Sequence, residues 1–106
     1  MVNFFSWFQG VSLTFSDIIE VEDGPDYVKI LLDRCDKNSF DYILTQMPGF
    51  EVLESRGFSD EEVKYWMDYT LRSSFLIWEM AREKQADEIA FEEMQRQEHE
   101  KNADNF

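Results

Sequence analysis

The chain has 106 residues, with 23 Asp and Glu against 10 Lys and Arg, a formal net charge of −13 and 16% Phe, Trp and Tyr. That size predicts one domain with one modest core, and the aromatic content argues against a disordered chain despite the charge. The acidic balance excludes direct nucleic-acid binding and adhesion to anionic membranes as expected roles, because both draw on Lys and Arg, and no uncharged apolar stretch approaches membrane-spanning length.

Residues 1–16 carry no charged side chain. Val11, Leu13 and Phe15 alternate with Ser12, Thr14 and Ser16, the pattern of a half-buried strand, and Gln9-Gly10 can turn it back on residues 4–8 as a β-hairpin. A helical reading competes, because Phe4, Phe8, Val11, Phe15 and Ile18 fall at spacings of four and three. The apolar start lacks a basic leader region and a small-residue cleavage site, so a secretory signal is not expected. A single cysteine, Cys35, cannot form an intramolecular disulfide, which suits a reducing cytoplasm.

The next stretch, 17–26, holds Asp17, Glu20, Glu22, Asp23 and Asp26 without a base. Gly24-Pro25-Asp26 reads as a helix start, with Val28, Leu31, Leu32 and Cys35 on one face of a helix near 25–36. Asn38 or Ser39 can cap a second helix through Phe40, Ile43, Leu44 and Met47, ended by Pro48-Gly49. These two would pair as a helical hairpin. In a rival reading, residues 18–22 and 27–32 are strands around Asp23-Gly24.

Ser59 and Glu62 form a capping box, Phe58 can staple Val63, and a helix starts at Asp60. No Gly or Pro follows. Residues 75–78 are apolar on nearly every side, which predicts a central core helix. A helix over about 59–97 would be roughly 58 Å long at 1.5 Å per residue, so its far end must project, bend or pack elsewhere. Together these elements predict a mainly α fold, short helices packed on a long C-terminal helix, with the N-terminal hairpin as a β addition. The alternative is an α+β fold with a small antiparallel sheet against that helix. One domain is expected over 1–97, with a polar tail at 98–106.

Catalytic candidates are sparse. His99 sits between Glu98 and Glu100 with no neighbour to orient it, and Cys35 falls on the apolar face of the expected 25–36 helix, as a small core residue would. The run Asp33-Arg34-Cys35-Asp36-Lys37-Asn38 superficially resembles a calcium loop. It puts Cys35 and Lys37 at alternate ligand positions and lacks the required Gly. Without a paired Glu-x-x-His, a phosphate-cradling glycine loop or a CxxC motif, no enzyme activity, metal or cofactor is expected.

Acidic surfaces remain. Glu79, Glu83 and Asp87 stand four residues apart on one helix face, and Glu88 and Glu92 form a second row. Like charges at this spacing cost an isolated helix a few tenths of a kcal/mol per pair unless a partner supplies bases. The row rises about 6 Å per acid, comparable to phosphate spacing on a strand, which makes nucleic-acid mimicry physically feasible. The competing reading is a solvated helix face. A second candidate surface is Asp17, Glu20, Glu22, Asp23 and Asp26, placed directly after Phe5, Trp7 and Phe8, an aromatic anchor rimmed by acids.

The function these features favour is a small protein-binding inhibitor or regulator whose negative face occupies the basic groove of a nucleic-acid-handling partner. In size and charge the chain resembles small bacteriophage-encoded antagonists of host nucleases, including anti-CRISPR proteins and restriction inhibitors. That resemblance rests on no motif and transfers no functional residues. The alternative is an assembly or adaptor protein whose C-terminal helix pairs, through Ala86, Ile89, Ala90 and Met94, with a copy of itself or a second chain.

Overall fold

The structure, a computed structural model, describes residues 2–36 and 39–104; the side chains of residues 36 and 97–104 lie outside the described set. Five strands precede one helix: β1 (Val2–Phe8), β2 (Val11–Ser16), β3 (Val28–Asp36), β4 (Ser39–Met47), β5 (Val52–Arg56) and α1 (Asp60–Asp104). The strands form an antiparallel meander in the order β1-β2-β3-β4-β5. The mainly α expectation is overturned: the fold is α+β.

The N-terminal hairpin forms as the alternation suggests. Gln9 and Gly10 both take positive φ, 52° and 77°, the combination a two-residue hairpin turn needs to match the strand twist. Val11, Leu13 and Phe15 are buried, while Ser12, Thr14 and Ser16 face the other side. Phe8 pairs with Val11 and Phe4 with Thr14, with a bulge between Phe4 and Ser6.

Both short helices are replaced by strands. In β3 the buried residues are Val28, Ile30 and Leu32, and in β4 they are Ile43, Thr45 and Met47, a period of two in each. The helical spacing was produced by adjacent apolar pairs, Leu31-Leu32 and Ile43-Leu44. Leu31 and Leu44 stand opposite each other across β3 and β4, half-buried on the face away from the core, so their contact supports the ladder rather than a helix. Cys35, expected in the core, is exposed. The loop between β2 and β3 is held by a bridge between Ile19 and Tyr27, and Pro25 lies outside any helix.

Helix α1 starts where the capping box places it. Ser59 N–H donates to Glu62 Oε1 at 3.0 Å, and Glu62 N–H donates to Ser59 Oγ at 3.2 Å. Trp66, Thr70, Ile77 and Ala81 turn inward onto the inner face of the sheet, and Thr70 satisfies its hydroxyl on Trp66 C=O at 2.8 Å. The apolar run 75–78 is not buried all round: Ile77 is 0% exposed and Phe75 is 68% exposed, because one sheet covers only one side of a helix. Residues 86–96 are exposed without exception. The helix outruns the sheet, giving a longest extent of 65 Å and a radius of gyration of 18.2 Å, against about 13 Å for a compact chain of 100 residues.

Candidate partner-binding surface

β1 and α1 run side by side on the inner face. Phe8 stacks on Tyr69 with centroids 5.9 Å apart and meets the Trp66 ring edge at 6.4 Å. Ser6 and Tyr69 share a hydrogen bond of 2.9 Å. At the other end of β1, Lys84 donates to the Asn3 side-chain carbonyl and lies 3.5 Å from Asp17, while Asn3 Nδ2 donates to Asp17 Oδ1 at 3.0 Å. Asp17 is held below the usual carboxylate range by the Asn3 hydrogen bond, which outweighs the opposing effect of burial, and the Lys84 charge adds to the lowering. This triad ties strand, loop and helix together at the point where the helix leaves the sheet.

Two acidic groups that are far apart in sequence become one surface here. One residue along the helix from Lys84, Gln85 Nε2 donates to Glu20 Oε1 at 3.1 Å, bringing the 17–26 loop against the helix. Glu22 and Asp23 are exposed in that loop, and Glu79, Glu83, Asp87, Glu88 and Glu92 are exposed on the helix. Of these, Asp17 is engaged internally, Glu20 accepts from Gln85, and Glu83 and Asp87 line a hollow of about 470 Å³ with Val2, Asn3, Phe4, Phe15, Met80 and Lys84. Glu88 and Glu92 lie further along the helix and are not part of that lining.

The aromatic anchor is arranged differently from expectation. Phe5 is half-buried against the core, Phe8 packs on the helix, and Trp7 is 69% exposed on the outer sheet face. The apolar residues that line the hollow with the acids are instead Phe15 and Met80 together with Val2 and Phe4, whose exposed side chains lie on the outer sheet face opposite Ser16 and Thr14. Sequence reasoning passed over Val2 and Phe4 because a bulge, invisible in the spacing, separates the alternation of residues 2–4 from that of 6–8.

At the opposite end of the molecule Arg34 gathers its own acids. Its guanidinium donates to Asp41 Oδ2 at 2.9 Å and to Glu62 Oε2 at 2.7 Å, and lies 4.3 Å from the Phe58 ring centre. This cluster joins β3, β4 and the helix start, and its charge is met within the protein. Hydrogen bonds to Glu62 and then Asp41 raise Arg34 further above its ordinary pKa.

Among the described residues no group of three or more His, Cys, Asp or Glu is placed to hold a metal ion, and no helix is long and apolar enough to cross a membrane. The His99 side chain and residues 37–38 of the calcium-like run lie outside the described residues. What the surface offers chemically is exposed carboxylates in the neighbourhood of apolar residues. No protein-family model, curated protein or solved structure matches the chain.

Proposed function

We propose that this protein is a small binding inhibitor or regulator that sets its acidic helix against a basic surface of a nucleic-acid-handling protein, acting by occlusion and not by catalysis, in the cytoplasm. One observation carries the reading. Every residue from 86 to 96 is exposed, yet the helix there bears Asp87, Glu88, Glu92 and Glu93 together with Ile89, Phe91 and Met94, the last two 61% and 62% exposed. A lone solvated helix gains nothing from large apolar side chains, whereas a helix seated in a groove uses them as anchors while its charges steer the encounter.

The test is affinity capture from a nuclease-treated cytoplasmic lysate, eluted in salt steps, followed by affinity measurement with the recovered partner. Reversing Glu79, Glu83 and Asp87 to Lys should weaken binding and flatten its salt dependence, since screening acts on the attraction those acids supply. Unchanged affinity at every salt concentration would remove them from the mechanism.

The same exposed Ile89, Phe91 and Met94 favour a second reading, an adaptor that pairs through this helix with a copy of itself or another chain. Ile89→Asp and Met94→Asp should then dissociate an oligomer seen by light scattering. A monomeric parent would sink the self-pairing form.

A further inference from the structure

The hollow beside Glu83 and Asp87 combines three properties. Met80 and Phe15 give it an apolar base, Val2 and Phe4 border it from the edge strand with their side chains on the outer face opposite Ser16 and Thr14, and its helical wall carries the two carboxylates one turn apart. Lys84 also lines it, but its ammonium is engaged with Asn3 and Asp17 on the strand side. Beside it runs β1, one of the two edges of the sheet, with no charged residue from Val2 to Phe8 and, among the described residues, a strand neighbour on one flank only. The backbone donors and acceptors of its other flank form a template for an added strand, and Lys, Pro and inward charges, the usual guards of such an edge, are missing from it.

We propose that this groove takes an extended basic segment of a protein partner, which adds to the sheet along Val2–Phe4 and lays an inward-facing Lys or Arg side chain over Met80 with its cation between Glu83 and Asp87. The inference rests on the acidic-surface reading above and names the part of that surface that receives the cation. An alkyl stem ending in a positive head matches an apolar floor with an acidic rim, and Arg can engage carboxylates through paired hydrogen bonds. Glu83 and Asp87 repel each other at four-residue spacing, so a cation between them offsets a standing cost. Charge also selects the occupant: a second copy would bring another −13 and offers no cation from its own β1. The bulge between Phe4 and Ser6 divides β1 into two regularly paired runs, Val2–Phe4 beside the hollow and Ser6–Phe8 beyond it.

The test uses the full chain labelled with ¹⁵N and the blocked peptide Thr-Val-Arg-Val-Arg-Val-Thr, with a matched peptide carrying Glu for Arg. The Arg peptide should shift the amides of Val2–Ser6 and Glu83–Asp87 in a saturable way, and the Glu peptide should not. The double variant Glu83→Gln, Asp87→Asn should weaken binding about tenfold, the loss expected for two partly exposed charge pairs, while Glu88→Gln, Glu92→Gln should stay within about twofold. Absence of saturable binding, or equal binding of the Glu peptide, overturns the groove. Shifts centred on residues 88–96 and lost in the Glu88→Gln, Glu92→Gln variant overturn the groove but leave the acidic helix as the binding surface, so the two readings fail separately.

Discussion

The Arg34 guanidinium lies 2.7 Å from the Glu62 carboxylate, a contact across 28 residues that fastens the middle of the sheet to the first turn of the helix. Glu62 is held below its ordinary pKa of 4.5, first by the Ser59 backbone N–H and then by Arg34. A carboxyl whose pKa is depressed by folding contributes stability above its unfolded value, and that contribution is lost as pH falls through the folded value. Glu62→Gln should therefore lower Tm at pH 7, and the gap from the parent should close on acidification below about pH 4. A gap of constant size from pH 7 to pH 3 would show that the charge of Glu62 is not what matters.

Gly57 takes φ of +81°, and a Cβ there would stand 1.9 Å from Asp41 Oδ1. The Asp41 side chain could yield only by leaving Arg34, to which it is bonded at 2.9 Å. Gly57→Ala is expected to cost about 1–3 kcal/mol in denaturant unfolding, from positive-φ strain together with the displaced ion pair. Gly24→Ala serves as control, since a Cβ there meets nothing within 4 Å.

Two helical neighbours should respond oppositely to truncation. Ile77→Ala removes a fully buried side chain and should cost about 2–5 kcal/mol, whereas Phe75→Ala, outward on the helix, should stay within about 0.5 kcal/mol. Comparable losses at both positions would mean that the outward face of α1 is also covered.

Cys35 is exposed. In the native state it should be modified stoichiometrically by the neutral reagent 4,4′-dithiodipyridine, at a rate independent of added denaturant. A neutral reagent is needed because the negative field of the protein slows anionic ones. Protection until unfolding would return Cys35 to the core.

Deleting the chain from Asp87 onward should leave Tm within a few degrees of the parent, because residues 87–96 are exposed and cover none of the described core. The same deletion should abolish partner capture. A large fall in Tm would assign the projecting helix a structural role.

Legibility followed the range of the interactions. The helix start was readable because the reciprocal bonds of Ser59 and Glu62 span only three residues, and the β1–β2 hairpin because its turn and its alternation are both local. The acid rows were readable as rows, since four-residue spacing alone sets a helical face. β3 and β4 were misread because Leu31 and Leu44 blur the alternation, and only their pairing across the sheet makes sense of them. Phe4 and Val2 were overlooked for a similar reason: the bulge at Phe5 has no counterpart in the spacing.

By itself, then, the sequence determined that the chain folds, that its last element is a long capped helix and that its surface is strongly negative, because composition and short-range hydrogen bonds decide those properties. Only the tertiary structure decided that the central segments are strands, that the 17–26 loop meets the helix through Lys84 and Gln85, and that Glu83 and Asp87 flank an apolar hollow beside an open sheet edge. Segments of nine residues satisfy helix and strand spacing about equally well, and the choice falls to whichever partner surface can bury them. Here that surface is α1, which covers one face of a sheet and leaves, among the described residues, the other face, the β1 and β5 edges and its own far end uncovered.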